Sequence, residues 1–229
     1  RPRPRQDLVA GRPAHRRGSH AACLELARPH EPVRLRSRRL RDRIALGIER
    51  RAFAPGAYRR VIANSRLVQR DLVQRYAVPP AAIEVIYNGV DLQRFGPHQR
   101  PAGRALRAEL GLAADQPVVA FVGGGFGRKG LGRLIEALPE VLRAHPRLVL
   151  LVVGRDAAQR LFERQADELG VAHALCFLGR RTDPEACYAA ADLYCLPTWY
   201  DSFGFSVLEA LATGLPVITT ELAGASELV

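Results

Sequence analysis

From Val118 onward, short apolar runs alternate with longer segments of helical periodicity, and glycine or proline marks the junctions. Strands are predicted at 118–123, 148–153, 175–178, 192–196 and 216–219, with helices at 130–144, 156–169, 183–190 and 206–213. His145-Pro146, Gly154, Gly170, Gly179, Gly214 and Pro216 supply the breaks. Strands joined through helices of this length run parallel, so the fold class is α/β, with helices on both faces of a parallel sheet. Such sheets bind ligands beyond the carboxyl ends of their strands. The loops after 118–123, 175–178 and 192–196 are therefore expected to converge on one crevice.

Upstream the pattern is less regular. Leu40, Ile44 and Ile48 recur four apart between arginines, which predicts a basic amphipathic helix from Leu35 to Phe53, ended by Pro55-Gly56. Such a stripe can lie on a membrane surface, although packing against a neighbouring domain is the commoner use. A strand at 60–63 follows. Asn64-Ser65 caps a helix running to Tyr76, with Ser65 read as a cap and not as a nucleophile. Ile83 to Tyr87 alternates like a strand and stops at Asn88-Gly89. The expected organisation is a poorly ordered basic leader at 1–34, a partial amino-terminal domain at 35–95, a linker at 96–116 with a short helix around 104–110, and a carboxyl-terminal domain at 117–229.

The formal charge of +11 belongs to one end of the chain. Residues 1–60 hold 17 arginines against 5 acids, whereas residues 61–229 hold 17 basic against 18 acidic residues. The arm has no aromatic stacking platform, so no nucleic-acid partner is expected. No run of eighteen apolar residues predicts a membrane-spanning helix. Cys23, Cys176, Cys187 and Cys195 lack metal-type spacing and read as structural thiols of a cytoplasmic protein. The chain contains no methionine, which suggests a piece of a longer protein.

Three features fall at the predicted strand ends. The first is Gly123 to Gly130, where glycines permit close backbone approach and Arg128-Lys129 supply charge next to a helix start, an arrangement suited to two phosphates. Lys129 is the only lysine among 34 basic residues. The second is the turn Gly179-Arg180-Arg181. The third runs from Asp201 through Phe203, Gly204, Phe205, Ser206 and Val207 to Glu209, two carboxylates flanking an amide-rich turn. These could grip the hydroxyls of two sugars while the amides hold phosphate between them. The spacing of Gly123-Gly124-Gly125 does not give a clean dinucleotide fingerprint, and Asp156 is a poor ribose ligand candidate. Trp199 and Tyr200 read as loop packing, and Glu227 as surface.

On these residues the segment 61–229 resembles glycosyltransferase family 4, retaining enzymes of the two-domain GT-B type found in lipopolysaccharide-core and capsule synthesis. The matching stretches are Asn88-Gly89-Val90-Asp91, Val122-Gly123, Arg128-Lys129-Gly130, Phe177-Leu178-Gly179, Ala191-Asp192, Pro197-Thr198, Asp201 to Glu209, and Glu209 to Val217. The resemblance implies a Rossmann-like donor domain and transfer of a hexose or heptose from a nucleotide-diphosphate sugar, such as a UDP- or GDP-sugar, to a glycan or lipid-linked acceptor. It implies catalytic roles for Arg128, Lys129 and Asp201, and donor contacts from Gly123, Gly124, Arg180, Phe203, Gly204, Phe205, Ser206, Val207 and Glu209. Glu209 would bind ribose and Asp201 the donor sugar. No cofactor or metal is expected, and the location would be cytoplasmic or peripheral at the inner face of the membrane. The sequence departs from the family where Asp201 replaces the usual glutamate and Gly124 a common arginine. It also lacks most of the acceptor domain and the closing strands, so it reads as truncated at both ends. The alternatives are a non-catalytic nucleotide-binding fragment or another Rossmann enzyme such as a sugar-nucleotide epimerase or oxidoreductase.

Overall fold

The computed structural model describes residues 6–10 and 39–229, with side chains from Ile44 onward in the second span. Most of the predicted leader, including His15, His20, His30 and Cys23, lies outside the described residues. Contacts divide the chain into two compact units.

The first unit comprises the described residues up to Asn88 together with Tyr200–Phe203 and Leu222–Glu227. Its sheet has strands β1 (Gln6–Ala10), β2 (Tyr58–Ala63) and β3 (Ile83–Val85) in that order, all parallel. Strand β1 falls in the segment expected to be a leader without regular structure. Helix α1 (Arg39–Ala52) precedes β2, and α2 (Arg66–Tyr76) joins β2 to β3. Ser65 starts α2 as expected, its hydroxyl accepting the Val68 N–H at 3.1 Å. The helix ends at Ala77, the one non-glycine residue with positive φ (51°) among the described residues, whose N–H turns back to the last carbonyls. Val61, Ala63, Val68, Leu72, Val78 and Ile83 form the buried core. Glu49 of α1 accepts a 2.6 Å hydrogen bond from the Tyr76 hydroxyl, and burial with this carboxylate pushes the Tyr76 phenol up. Ile44 and Ile48 on α1 stay exposed, at 56% and 58%.

The second unit comprises Gly89–Trp199 and Gly204–Glu221 with the last two residues. Its strands are β4 (Val118–Val122), β5 (Val149–Val153), β6 (Leu175–Gly179), β7 (Leu193–Leu196) and β8 (Val217–Thr219). They form one parallel sheet in the order β6-β5-β4-β7-β8. Every residue of β5 is buried, as its unbroken Val-Leu-Leu-Val-Val run requires. The crossovers are α4 (Leu131–Ala144), α5 (Gln159–Glu168), α6 (Pro184–Ala189) and α7 (Phe205–Thr213). The chain winds from β4 outward through β5 to β6, then returns to β7 on the other side of β4. This α/β architecture matches the predicted fold class, and its switch of winding direction places a crevice at the carboxyl ends of β4 and β7.

The segment expected as a linker, 96–116, carries helix α3 (Arg100–Glu109) and belongs with the second unit. Gly103 lies so close to α6 that a Cβ would strike the Ala189 carbonyl. Arg107, nine-tenths buried, donates to the carbonyls of Ala190, Ala113, Ala114 and Gln116 at 2.7–3.1 Å and to Asp192 at 2.8 Å. The same Asp192 oxygen accepts the Val118 N–H at 2.8 Å. This network fastens α3 to the starts of β4 and β7.

Candidate functional site

The loop after β4 is shaped by backbone that only glycine adopts readily. Gly123, Gly125 and Gly130 have φ of 145°, 73° and 81°. Its middle is pinned by Phe126, fully buried edge-on between Phe121 and Phe162 at 5.9 and 5.8 Å. Asp156, at the end of β5, accepts the Phe126 N–H at 2.7 Å on one oxygen and the Ala158 N–H at 2.8 Å on the other. One oxygen therefore braces the loop after β4, and the other holds the turn that leads into α5.

Lys129 folds back along this loop. A Cβ added to Gly123 would stand 2.6 Å from Lys129 Nζ and 2.8 Å from its Cδ. The glycine thus supplies the space in which the chain's only lysine places its ammonium group at the end of β4. Arg128 is held by its carbonyl, which accepts the Trp199 N–H at 2.9 Å and the Thr198 hydroxyl at 3.1 Å. Gly130 abuts the Pro197 carbonyl. The loops after β4 and β7 are therefore stitched together across the switch point, as expected from their strand ends.

Glu209 projects from α7, whose first turn follows Gly204 at φ 84°. Ser206 is buried, its hydroxyl accepting from Tyr194 at 2.7 Å, and Val207 is wholly buried. Those two positions can serve a ligand only through backbone, which is the role predicted for them; Phe205 is exposed. Tyr188 of α6 donates to Glu209 Oε2 at 2.7 Å. Burial pushes the Glu209 carboxyl up from the ordinary range, while the Tyr188 hydrogen bond and the charges of Arg94 and Lys129 pull it down and Glu185 adds to the rise. Lys129 and Glu209 thus share one electrostatic environment. Arg94 and Tyr188 complete it, and neither was singled out from sequence.

After β6, Arg180 is exposed. Arg181 is committed elsewhere: it pairs with both oxygens of Asp183 at 2.9 Å and with Glu109 at 3.3 Å. This fork holds the Asp183 carboxyl below its usual range. Gly124 is exposed on the loop, 3.2 Å from the Arg155 carbonyl if a Cβ were added.

Asp201 and Phe203 are counted with the first unit. The Asp201 backbone pairs with Leu222 and Gly224 at 2.8 and 2.9 Å. The Phe203 ring is buried, so its side chain is packing material. In the same unit the Ser65 hydroxyl donates to the Ser202 carbonyl at 2.8 Å, beneath Gly224, where a Cβ would strike both residues. Tyr200 donates to Asp71 at 2.7 Å, the loop packing expected of it. Glu227 is exposed, as expected, and also has a structural role. Its two oxygens accept the Arg66 and Leu67 N–H groups at 3.1 and 3.0 Å, capping α2, and one also accepts the Tyr87 hydroxyl at 2.7 Å.

A cavity of about 380 Å³ lies at the opposite end of the second unit's sheet, between α4 and the starts of β4 and β7. Leu134, Leu138, Leu150, Leu193 and Ile218 make it almost wholly apolar, so it lacks the converging polar groups that a phosphate or sugar needs. Among the described residues no three His, Cys, Asp or Glu side chains group as metal ligands, and no helix is long and apolar enough to cross a membrane.

Known proteins resemble this chain in sequence and in fold. A family model described as "Glycosyl transferases group 1" matches residues 104–229, and one described as "Glycosyltransferase Family 4" matches 14–94. D-inositol 3-phosphate glycosyltransferase of Segniliparus rotundus is 38% identical over 171 residues, covering 72% of this chain and 37% of that protein. Lipopolysaccharide glucosyltransferase WaaG of Escherichia coli K12 is 34% identical over 180 residues, covering 77% and 47%. The crystal structure of WaaG, a glycosyltransferase involved in lipopolysaccharide biosynthesis, superposes with a TM-score of 0.77 at 29% identity, over 97% of this chain and 58% of that one. Anabaena Alr3699/HepE in complex with UDP and glucose gives 0.67 at 30% identity, over 82% and 50%. The chain spans less than half the length of these two curated relatives. With its parallel sheet, its glycine loop and its acid-bearing helix, the chain belongs to the glycosyl transferases group 1 family.

Proposed function

We propose that this chain carries the donor-binding part of a retaining glycosyltransferase, which moves a sugar from a nucleotide-diphosphate donor to a glycan or lipid-linked acceptor. The observation that carries the reading is the shared environment of Lys129 and Glu209 at the carboxyl ends of the second unit's sheet. Lys129, Arg128 and the amides of the Gly123–Gly130 loop neutralise the diphosphate and the charge that grows on it as the sugar leaves. Glu209 accepts the ribose hydroxyls. The amides of Gly204 to Val207 meet phosphate and sugar, backbone at Arg180 meets the base, and Asp201 holds hydroxyls of the donor sugar. No protein nucleophile is assigned. Because HepE is described with UDP and glucose, a UDP-sugar is the first donor to test.

The dinucleotide alternative needs an acid at the end of β5 turned toward a ribose, and Asp156 there holds the Phe126 N–H with one oxygen and the Ala158 N–H with the other. The exposed Ile44 and Ile48 on the arginine-rich α1 support peripheral contact with the inner face of a membrane. Isothermal titration with UDP, GDP and ADP sugars tests the main reading. Binding of one class is expected, with loss of roughly ten- to a hundredfold in Lys129→Ala. Equal affinity in that variant removes the role given to Lys129.

A further inference from the structure

The geometry points to Tyr188 as a positioning residue for Glu209: its buried hydroxyl fixes the carboxylate in one orientation, ready to accept both ribose hydroxyls of a bound nucleoside diphosphate. This rests on the ribose role proposed for Glu209.

Tyr188 is wholly buried. Its ring is clamped by Phe95, edge-on at 5.9 Å, and by Tyr194 at 5.7 Å. A ring held on both sides aims its hydroxyl at a fixed point, and that point is Glu209 Oε2, 2.7 Å away. Only Oε2 receives a hydrogen bond from the described residues. A carboxylate has about four lone-pair sites, so the single bond from Tyr188 leaves acceptor capacity for a vicinal diol. A glutamate without this anchor would lose rotamer freedom on binding and give up part of the affinity.

The same bond acts on charge. A ribose diol donates to the carboxylate, and a protonated carboxyl loses acceptor capacity. Burial favours the protonated form of Glu209, and Glu185 adds to this. Tyr188, Arg94 and Lys129 oppose it. Arg94 is itself tied to Glu185 at 2.9 Å and to the Thr182 carbonyl at 3.0 Å, so its charge is partly spent. The phenol is the one direct donor in the set. Removing it lets burial push the carboxyl further up, and the acid limb of nucleotide binding then moves to higher pH.

The test measures the Kd of UDP, GDP, ADP and inorganic pyrophosphate between about pH 5 and about pH 8, in the parent chain and in Tyr188→Phe. Phenylalanine keeps the ring contacts. For the nucleotide that binds, about tenfold weaker affinity near neutral pH and an acid limb shifted upward are expected, with pyrophosphate changed less than about twofold. Unchanged nucleotide affinity and limb in Tyr188→Phe overturn the inference, as does an equal loss for pyrophosphate, which would mean general loosening. If Tyr188→Phe does not fold, Glu209→Asp takes its place. It keeps the charge but falls one methylene short of the anchored hydroxyl, and the same upward shift is expected; an unshifted limb counts against the anchor. A parent chain that binds neither nucleotide nor pyrophosphate removes the donor reading itself.

Discussion

Arg107 and Asp192 meet at 2.8 Å on the far side of the sheet from the candidate site, and the same carboxylate oxygen takes the first N–H of β4. The Ala191-Asp192 pair, one of the family-like stretches, is thus a joint that keeps β4 and β7 side by side, which is the condition for a crevice at their other ends. Arg107→Ala would take a donor from four carbonyls, of which Ala113 keeps the Gln116 N–H, and the counter-charge from Asp192. A loss of about 3 kcal/mol is expected by denaturant unfolding. Arg107→Lys should recover little of it, because an ammonium cannot reproduce the planar fork that serves carbonyls on several segments. A lysine variant as stable as the parent would show that charge alone suffices.

Gly123 and Lys129 form a single device. Alanine at 123 must adopt a φ that side chains avoid and must also displace the lysine stem that lies over it. Gly123→Ala is therefore expected to weaken donor binding by about tenfold or more, close to the effect of Lys129→Ala. Combined, the two should cost little more than either alone. Titration of the singles and the double with the same nucleotide sugar measures this, and full additivity would separate the two residues.

The raised Glu209 carboxyl gives opposite pH signs to stability and to binding. Because the folded state holds this proton to higher pH than the unfolded chain does, its contribution to stability is full below the ordinary glutamate range and declines as pH rises through the raised value. With Glu209 accepting the ribose hydroxyls as proposed, nucleotide binding needs the ionised form and is expected to strengthen over the same window. The rise in Tm caused by a saturating nucleoside diphosphate should therefore grow between about pH 5 and about pH 7. A ligand-induced shift that is flat across this window would place Glu209 outside the binding event.

Strand β5 is plain in the sequence because a strand buried on both faces is an unbroken apolar run, and the glycine loop is plain because it follows such a strand, whereas Glu209 stands out only through the family-like stretch around it. What escaped depends on partners far along the chain. Arg107 sits in a segment that reads as a connector, since its acceptor Ala190 is 83 residues away. Tyr188 hides in a short, mostly apolar helix, and its purpose appears only when α6 and α7 pack. Strand β1 offers just Leu8, Val9 and Ala10 among polar neighbours, and is a strand only because β2 pairs with it. Asp156 shows the converse: its place after a strand is legible in the sequence, and its bonds to the Phe126 and Ala158 N–H groups are not.

Helix α2 allows its two ends to be tested against each other. At the amino end, Glu227 reaches from 160 residues away to accept the Leu67 N–H, and takes the Arg66 N–H as well, adding a negative charge where the helix dipole favours one. Glu227→Ala should cost about 1 kcal/mol, and Glu227→Gln should recover part of it, because an amide oxygen still caps but carries no charge. At the carboxyl end, Ala77 bears a left-handed backbone that glycine adopts at no steric cost. Ala77→Gly should therefore stabilise by about 1 kcal/mol, less whatever the unfolded chain gains in freedom. The ends of an eleven-residue helix stand roughly 16 Å apart, far enough for the two effects to add. Denaturant midpoints of both singles and the double give the comparison. A destabilising Ala77→Gly would mean that the Ala77 methyl contributes packing worth more than the relief of its φ.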